Sequence, residues 1–209
     1  MISTRDLSAL PSINALKKLT QSLAMLDAII QRDWEGRYYS FKAYWKPHEQ
    51  MASMRNGEGD EWFCLFTSAG AFLKGLYHES EMAMGWPGLL ESVPEVFESA
   101  LIEPAFSIQY TSFCIWRTYE DHRWHTGNIS YPPGDDPDGS AWMLSILDGA
   151  PISYEQWAQN YYKRPVDRTA VEHIYAHKSL TNEIVRLLNP GTNLSDLSED
   201  IAKIGYPTS

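Results

Sequence analysis

The hydrophobic period of this chain changes twice, and few architectures accommodate both changes. Leu16, Leu19, Leu23, Leu26 and Ile30 recur at steps of three and four, the spacing of one helical face. From Arg37 onward the period drops to two: Tyr39, Phe41, Ala43 and Trp45 alternate with Tyr38, Ser40, Lys42, Tyr44 and Lys46. Beyond Gly139 the spacing becomes helical again. A chain that reads helix, then strands, then helices predicts an α+β fold. We expect an antiparallel sheet of about five or six strands, packed by an N-terminal helix and a C-terminal helical lobe. With 209 residues there is enough chain for one ample core. A single domain is therefore expected, with helix plus sheet over 1–130 and the helical lobe over 131–209.

The local signals place the elements. Ser12 is an expected N-cap for a helix reaching Asp33, and Gly36 is expected to close it at positive φ. Strands are expected at Arg37–Lys46, Gln50–Arg55, Glu61–Thr67, Ala71–Tyr77, Phe106–Arg117 and Trp124–Ile129. Asn56-Gly57-Glu58-Gly59-Asp60 is a turn, and Ser68-Ala69-Gly70 joins the best hairpin. Phe106–Arg117 carries the strongest strand pattern, one-sided at first and apolar on both faces from Phe113 to Trp116. A short helical piece is expected over Gly88–Leu101, punctuated by Pro87 and Pro94. After the loop Tyr131–Gly139, five helices are expected at Ser140–Leu147, Ser153–Tyr162, Asp167–His177, Thr181–Leu188 and Ser195–Ile204.

Composition narrows the function classes. The chain holds 17 basic and 27 acidic residues, a net charge of -10. Such a surface repels phosphate backbones, so nucleic acid is not an expected partner, whereas a basic protein is. Eight Trp, twelve Tyr and seven Phe drive a large core and leave some rings for a groove or interface. Cys64 and Cys114 sit in apolar runs and read as buried free thiols. No leader segment and no run long enough to span a bilayer is apparent, so a cytoplasmic protein without membrane contact is expected.

Several constellations invite a chemical reading and fail to complete it. His173 and His177 stand at i and i+4 on an expected helix, where two imidazoles can share a metal, but a third ligand is missing and Ile174 replaces the zincin Glu. Asp135, Asp136 and Asp138 before Gly139 suggest a calcium loop, yet Gly134 stands where its first ligand should be. The turn and N-cap reading fits better. Asp121, His122 and His125 cluster beside Arg117 and Arg123 without a nucleophile. Gly57-Glu58-Gly59 matches neither a P-loop nor a dinucleotide fingerprint. The expectation is therefore no catalytic set, no cofactor and no metal.

A non-catalytic set is more coherent. Arg55, Asp60, Glu61 and Trp62 flank one hairpin end, and His78, Glu79 and Trp86 follow the next strand. With Arg117, these residues form the expected binding site, an acidic rim with tryptophan suited to a basic surface or a cationic ligand. The leading expectation is a non-enzymatic binding module. The alternative is a hydrolase or small-ligand enzyme built around Arg55, Asp60, His78, Glu79 and Arg117.

A resemblance runs through the same residues. Trp34-Glu35-x-Arg37-Tyr38-Tyr39-Ser40-Phe41, Met51-x-Ser53-Met54-Arg55-x-Gly57-x-Gly59-Asp60-Glu61 and Lys74-Gly75-x-x-His78-Glu79-Ser80 resemble a family of uncharacterised bacterial proteins. Trp86-Pro87-Gly88, Phe113-Cys114-Ile115-Trp116-Arg117, Asp135-Asp136-Pro137-Asp138-Gly139-Ser140 and Gly205-Tyr206-Pro207 fall into the same pattern. This resemblance implies no activity. A weaker likeness, carried by acidic composition, Trp86-Pro87-Gly88-Leu89-Leu90 and strands followed by helices, is to bacterial immunity proteins of the SUKH kind, which bind and block toxins. It implies an immunity-type inhibitor of a basic partner.

Overall fold

The computed structural model describes residues 1–208. Helix α1 (Ile13–Ile30) leads into six strands: β1 (Tyr39–Lys46), β2 (Glu49–Arg55), β3 (Glu61–Phe66), β4 (Gly70–Leu76), β5 (Phe113–Thr118) and β6 (His125–Thr126). They pair antiparallel and lie side by side in chain order. A short helix α2 (Glu98–Leu101) interrupts the long β4–β5 connection. The chain then continues through α3 (Ser140–Met143), α4 (Pro151–Tyr162), α5 (Arg168–Tyr175), α6 (Asn182–Leu188) and α7 (Ser198–Ile204). This is the α+β class that the changes of period predict. No described helix is long and apolar enough to cross a membrane.

Both faces of the sheet are covered. Tyr39, Phe41, Ala52, Met54, Trp62, Cys64, Leu73, Phe113 and Ile115 belong to the larger core, which also takes in α1 and the C-terminal helices. Their neighbours along the strands, Met51, Phe63, Leu65, Phe72, Cys114 and Trp116, pack with Phe97, Ala100 and Phe106 on the other face. Cys64 and Cys114 are thus buried on opposite faces as free thiols. Gly75 is needed where the two strands meet, because a Cβ there would lie 2.1 Å from the Phe113 ring.

The expected single stripe on α1 understates its burial. Every residue from Thr20 to Ile30 is buried, because the helix lies between the sheet and helices α5, α6 and α7. Its polar side chains are individually satisfied, as burial requires. Gln21 donates to the Ile204 carbonyl at 3.0 Å and Ser22 to that of Ile174 at 2.8 Å. At the C-terminal end, Asn189 donates to Ile29 O at 2.9 Å and Arg164 to Ile30 O at 3.4 Å.

Asp27 carries the heaviest electrostatic load in this helix. Its carboxylate is fully buried and accepts from the Tyr38 N–H at 2.9 Å, the Tyr39 N–H at 2.7 Å and the Tyr154 hydroxyl at 2.7 Å. The Tyr162 hydroxyl lies nearby without hydrogen-bond geometry. Desolvation raises the Asp27 pKa from 3.8 to about 6, and the bonds from Tyr154 and the two backbone amides oppose that rise.

Several expected elements take other forms. Phe106–Arg117 is a strand only from Phe113. Pro104 starts a helical turn capped by the Glu103 side chain, and Ser107 adopts a left-handed φ of 44°. Phe106 then plugs the far face, stacked 5.1 Å from Phe63. Alternation there reflects packing of a turn and not strand pairing. The Trp124–Ile129 strand shrinks to His125–Thr126, and only Glu95–Leu101 is helical within Gly88–Leu101. Ser12 does cap α1, but Gly36 is not at positive φ. The helix ends at Gln31 in extended conformation, and Asp33 caps a separate turn at Trp34–Gly36. Ser140–Leu147 divides into α3 and a tighter turn, Ser145–Asp148.

The raised Asp27 pKa makes stability pH-dependent. A carboxyl whose folded pKa exceeds its unfolded one contributes stability that is complete below the unfolded value and is lost as pH rises through the folded value. The relevant window runs from 3.8 to about 6. Asp27→Asn mimics the protonated side chain, with its amide donating to the Tyr154 oxygen. Unfolding free energies from urea titrations across that window are expected to fall for the native chain, by roughly 3 kcal/mol at most, relative to the variant. Parallel profiles for the two proteins would sink this account of Asp27.

Candidate functional site

The polar residues at the Tyr39–Leu76 end of the sheet arise from local geometry. The Asn56 side chain accepts from the Glu58 and Asp60 N–H groups at 2.8 and 3.0 Å. Gly57 and Gly59 supply φ values of 78° and 116°, which a side chain rarely adopts. The turn so formed fixes Asp60, whose Oδ1 accepts the His78 N–H at 2.9 Å and meets His78 Nδ1 at 2.7 Å. Asp60 is buried, while the His78 side chain is 42% exposed. The contact with Asp60 raises the imidazole pKa. No described hydroxyl or thiol is hydrogen-bonded to His78 Nε2.

A second set lies on the far face of the sheet. Lys74 is wholly buried, and its Nζ donates to Glu61 Oε1 at 3.3 Å and to Tyr110 O at 3.0 Å. Arg55 Nε stands 3.7 Å from Glu61 Oε2. Both cations lie over the Phe63 ring, at 5.1 Å for Arg55 and 5.5 Å for Lys74. Desolvation depresses the Lys74 pKa, and Glu61 works against it. A charge in the middle of the apolar run Ala71-Phe72-Leu73-Lys74-Gly75-Leu76 was the sequence signal for this pair.

On the near face of the same end there is a hollow of about 370 Å³. Tyr38, Tyr39, Trp142 and Trp157 line it, with Met54 and Asp148. Trp157 is 4.8 Å from Tyr38 and 4.9 Å from Tyr39, and stacks on Tyr161 at 5.2 Å. Trp142, 48% exposed, sits 6.3 Å from Tyr77, which is itself 6.3 Å from His78. The surrounding charge is negative. Burial is the largest cause of the raised Tyr38 pKa, and Asp60 and Glu58 are among the groups that add to it. The Tyr77 pKa is raised first by its hydrogen bond to Glu79, and Asp60 and Asp136 add to it.

The eight expected site residues therefore separate. Asp60, His78 and Glu79 stand together at the rim, and Arg55 and Glu61 lie on the opposite face of that end. Trp62 is 1% exposed and points into the main core, because it follows Glu61 on the strand and takes the other face. Trp86 donates to Ser130 O at 2.9 Å, in the loop beyond β4. Arg117 pairs with Ala71 across β4–β5, at the end of the hairpin away from Glu61 and Leu76. The five residues of the enzyme alternative consequently do not converge in one pocket. Sequence reasoning missed the aromatic walls, since Trp142 and Trp157 come from helices distant in sequence from Tyr38.

The other constellations are used locally. Asp136 accepts from Ala141 and Trp142 N–H groups at 2.9 and 3.0 Å. Asp138 holds Ser140 N and its hydroxyl at 3.0 and 2.7 Å, and also accepts from the Thr4 hydroxyl. This is the expected turn and helix start. His173 and His177 do not share a helical face: α5 ends at Tyr175, His177 has a φ of 54°, and its ring packs 4.9 Å from Tyr206. His173 Nε2 faces Ser179 O at 2.9 Å. Among the described residues no three His, Cys, Asp or Glu side chains gather as a metal site. No protein-family model matches the chain, and no curated protein or solved structure is significantly similar to it.

Two measurements probe this end of the sheet. Glu61→Gln leaves a buried ammonium without its counter-charge and is expected to cost about 3 kcal/mol of unfolding free energy, whereas the double variant Glu61→Gln/Lys74→Met recovers most of that loss. Similar losses in both proteins would show that the stranded ammonium is not their cause. NMR titration of His78 is expected to give a lower imidazole pKa in Asp60→Asn than in the native chain; an unchanged midpoint would refute the assigned contact.

Proposed function

We propose that this chain is a non-enzymatic binding module that receives a basic protein partner at the aromatic hollow and its acidic rim. The observation that carries the reading is the hollow itself: four rings, from Tyr38, Tyr39, Trp142 and Trp157, around about 370 Å³ with Asp148 in the wall. An Arg or Lys side chain entering it would meet ring faces and surrounding carboxylates together, the two features that attract a cation. The net charge of -10 would steer such a partner from a distance. The likeness to SUKH-type immunity proteins points the same way and gives the finer form, an inhibitor that masks a basic protein. The Asp60–His78 pair supports a second reading, a hydrolase in which Asp60 orients the imidazole as a general base.

Calorimetric titration with an arginine-rich peptide tests the first reading. We expect binding that weakens with salt, and weakens about fivefold to tenfold in Trp142→Ala. A further loss is expected in Glu58→Gln/Glu79→Gln, where both side chains are exposed. Equal affinity in all three proteins, or no binding at low salt, would remove the hollow as a partner site. Hydrolysis of ester substrates that disappears in His78→Gln would favour the second reading instead.

A further inference from the structure

A second cavity, of about 460 Å³, opens beside β5 and β6 under the N-terminal segment. Its charge is opposite to that of the molecule. Arg5, Arg117, Arg123, His122 and His125 line it, and Asp6 is the acid in its wall. With neutral imidazoles, three guanidiniums face one carboxylate, in a chain whose acids outnumber its bases by 27 to 17. The Asp6 carboxylate is already bonded to the Ser8 N–H at 3.0 Å. Asp121, which does not line the cavity, accepts from the Thr118 N–H and hydroxyl, both at 2.8 Å, and meets Nε2 of the lining His125 at 3.4 Å.

The donors are held but not consumed. Arg117 is half-buried at the end of β5, and its Nε donates to Asp121 O at 3.2 Å. Its two terminal nitrogens and the whole Arg123 guanidinium make no hydrogen bond among the described residues. Arg5 is anchored on the carbonyls of Gly134 and Asp135, at 3.0–3.2 Å, and on the Tyr131 ring at 5.0 Å. It contributes charge at the wall and no free fork.

We propose that this cavity binds the phosphate group of a small phosphorylated molecule. Guanidinium forks match phosphate and carboxylate oxygens alike. Charge separates the two: a phosphate monoester carries about −1.5 to −2 charges near neutrality, which answers an excess of two guanidiniums over carboxylates better than one carboxylate does. The cavity also exceeds a bare ion and leaves room for an attached organic group. The acidic remainder of the surface does not forbid this, because charges beyond the Debye length, about 10 Å at 0.1 M salt, are largely screened. The site is distinct from the aromatic hollow and stands or falls independently of it.

Isotope-labelled protein titrated with inorganic phosphate, and separately with acetate, tests the proposal through the backbone amides of His122–Thr126. Saturable shifts are expected with phosphate, at a concentration about tenfold lower than with acetate. Arg123→Gln, at an exposed position, is expected to weaken phosphate binding several-fold, and Arg117→Gln/Arg123→Gln to abolish it. Acetate binding as tightly as phosphate, an absence of saturable shifts, or an Arg123→Gln titration identical to the native one would each overturn it.

Discussion

The Asp27 carboxylate joins three segments that the chain presents far apart. It sits on α1, accepts the first two amides of the β1 region and receives the Tyr154 hydroxyl from α4. Burying it without those bonds would cost several kcal/mol, so the three segments must take one relative arrangement for the helix to be buried at all. The aromatic hollow inherits that arrangement. Tyr38 and Tyr39, which donate their amides to Asp27, also line the hollow, and Trp157 is in contact with both rings one turn beyond Tyr154. A core electrostatic constraint thus sets the spacing of the surface aromatics.

Legibility in the sequence follows the range of the interaction. The first four strands, the Ser12 cap and the turn at Asn56–Asp60 all depend on neighbours within a few residues, and their signals are plain. The Phe106–Ser112 segment misleads because its alternating apolar residues pack as a turn against Phe63, a contact that no local pattern encodes. The burial of α1 is similar. Thr20–Ile30 contains one charged residue, Asp27, and that scarcity was the available hint that no side of the helix meets water.

The candidate site was legible only in part for the same reason. Asp60, His78 and Glu79 meet because β3 and β4 form a tight hairpin, which spacing reveals. Trp62 and Arg117 were misplaced by strand parity and by strand direction respectively. One residue of shift moves a side chain through the sheet, and an antiparallel partner carries Arg117 to the opposite end. The molecule consequently separates its charges: carboxylates surround the rings at one end of the hairpin, and guanidiniums gather beside β6.

Gln21, near the start of the chain, is bonded to the carbonyls of Ile204 and Gly205, near its finish. The meander can form as each strand leaves the ribosome, since every partner is the preceding neighbour. Helix α1 has no such opportunity. Its outer side stays uncovered until α5, α6 and α7 have been synthesised, so the nascent polypeptide carries a greasy, half-wrapped helix until then. A premature stop before α7 would leave part of that apolar surface open to aggregation.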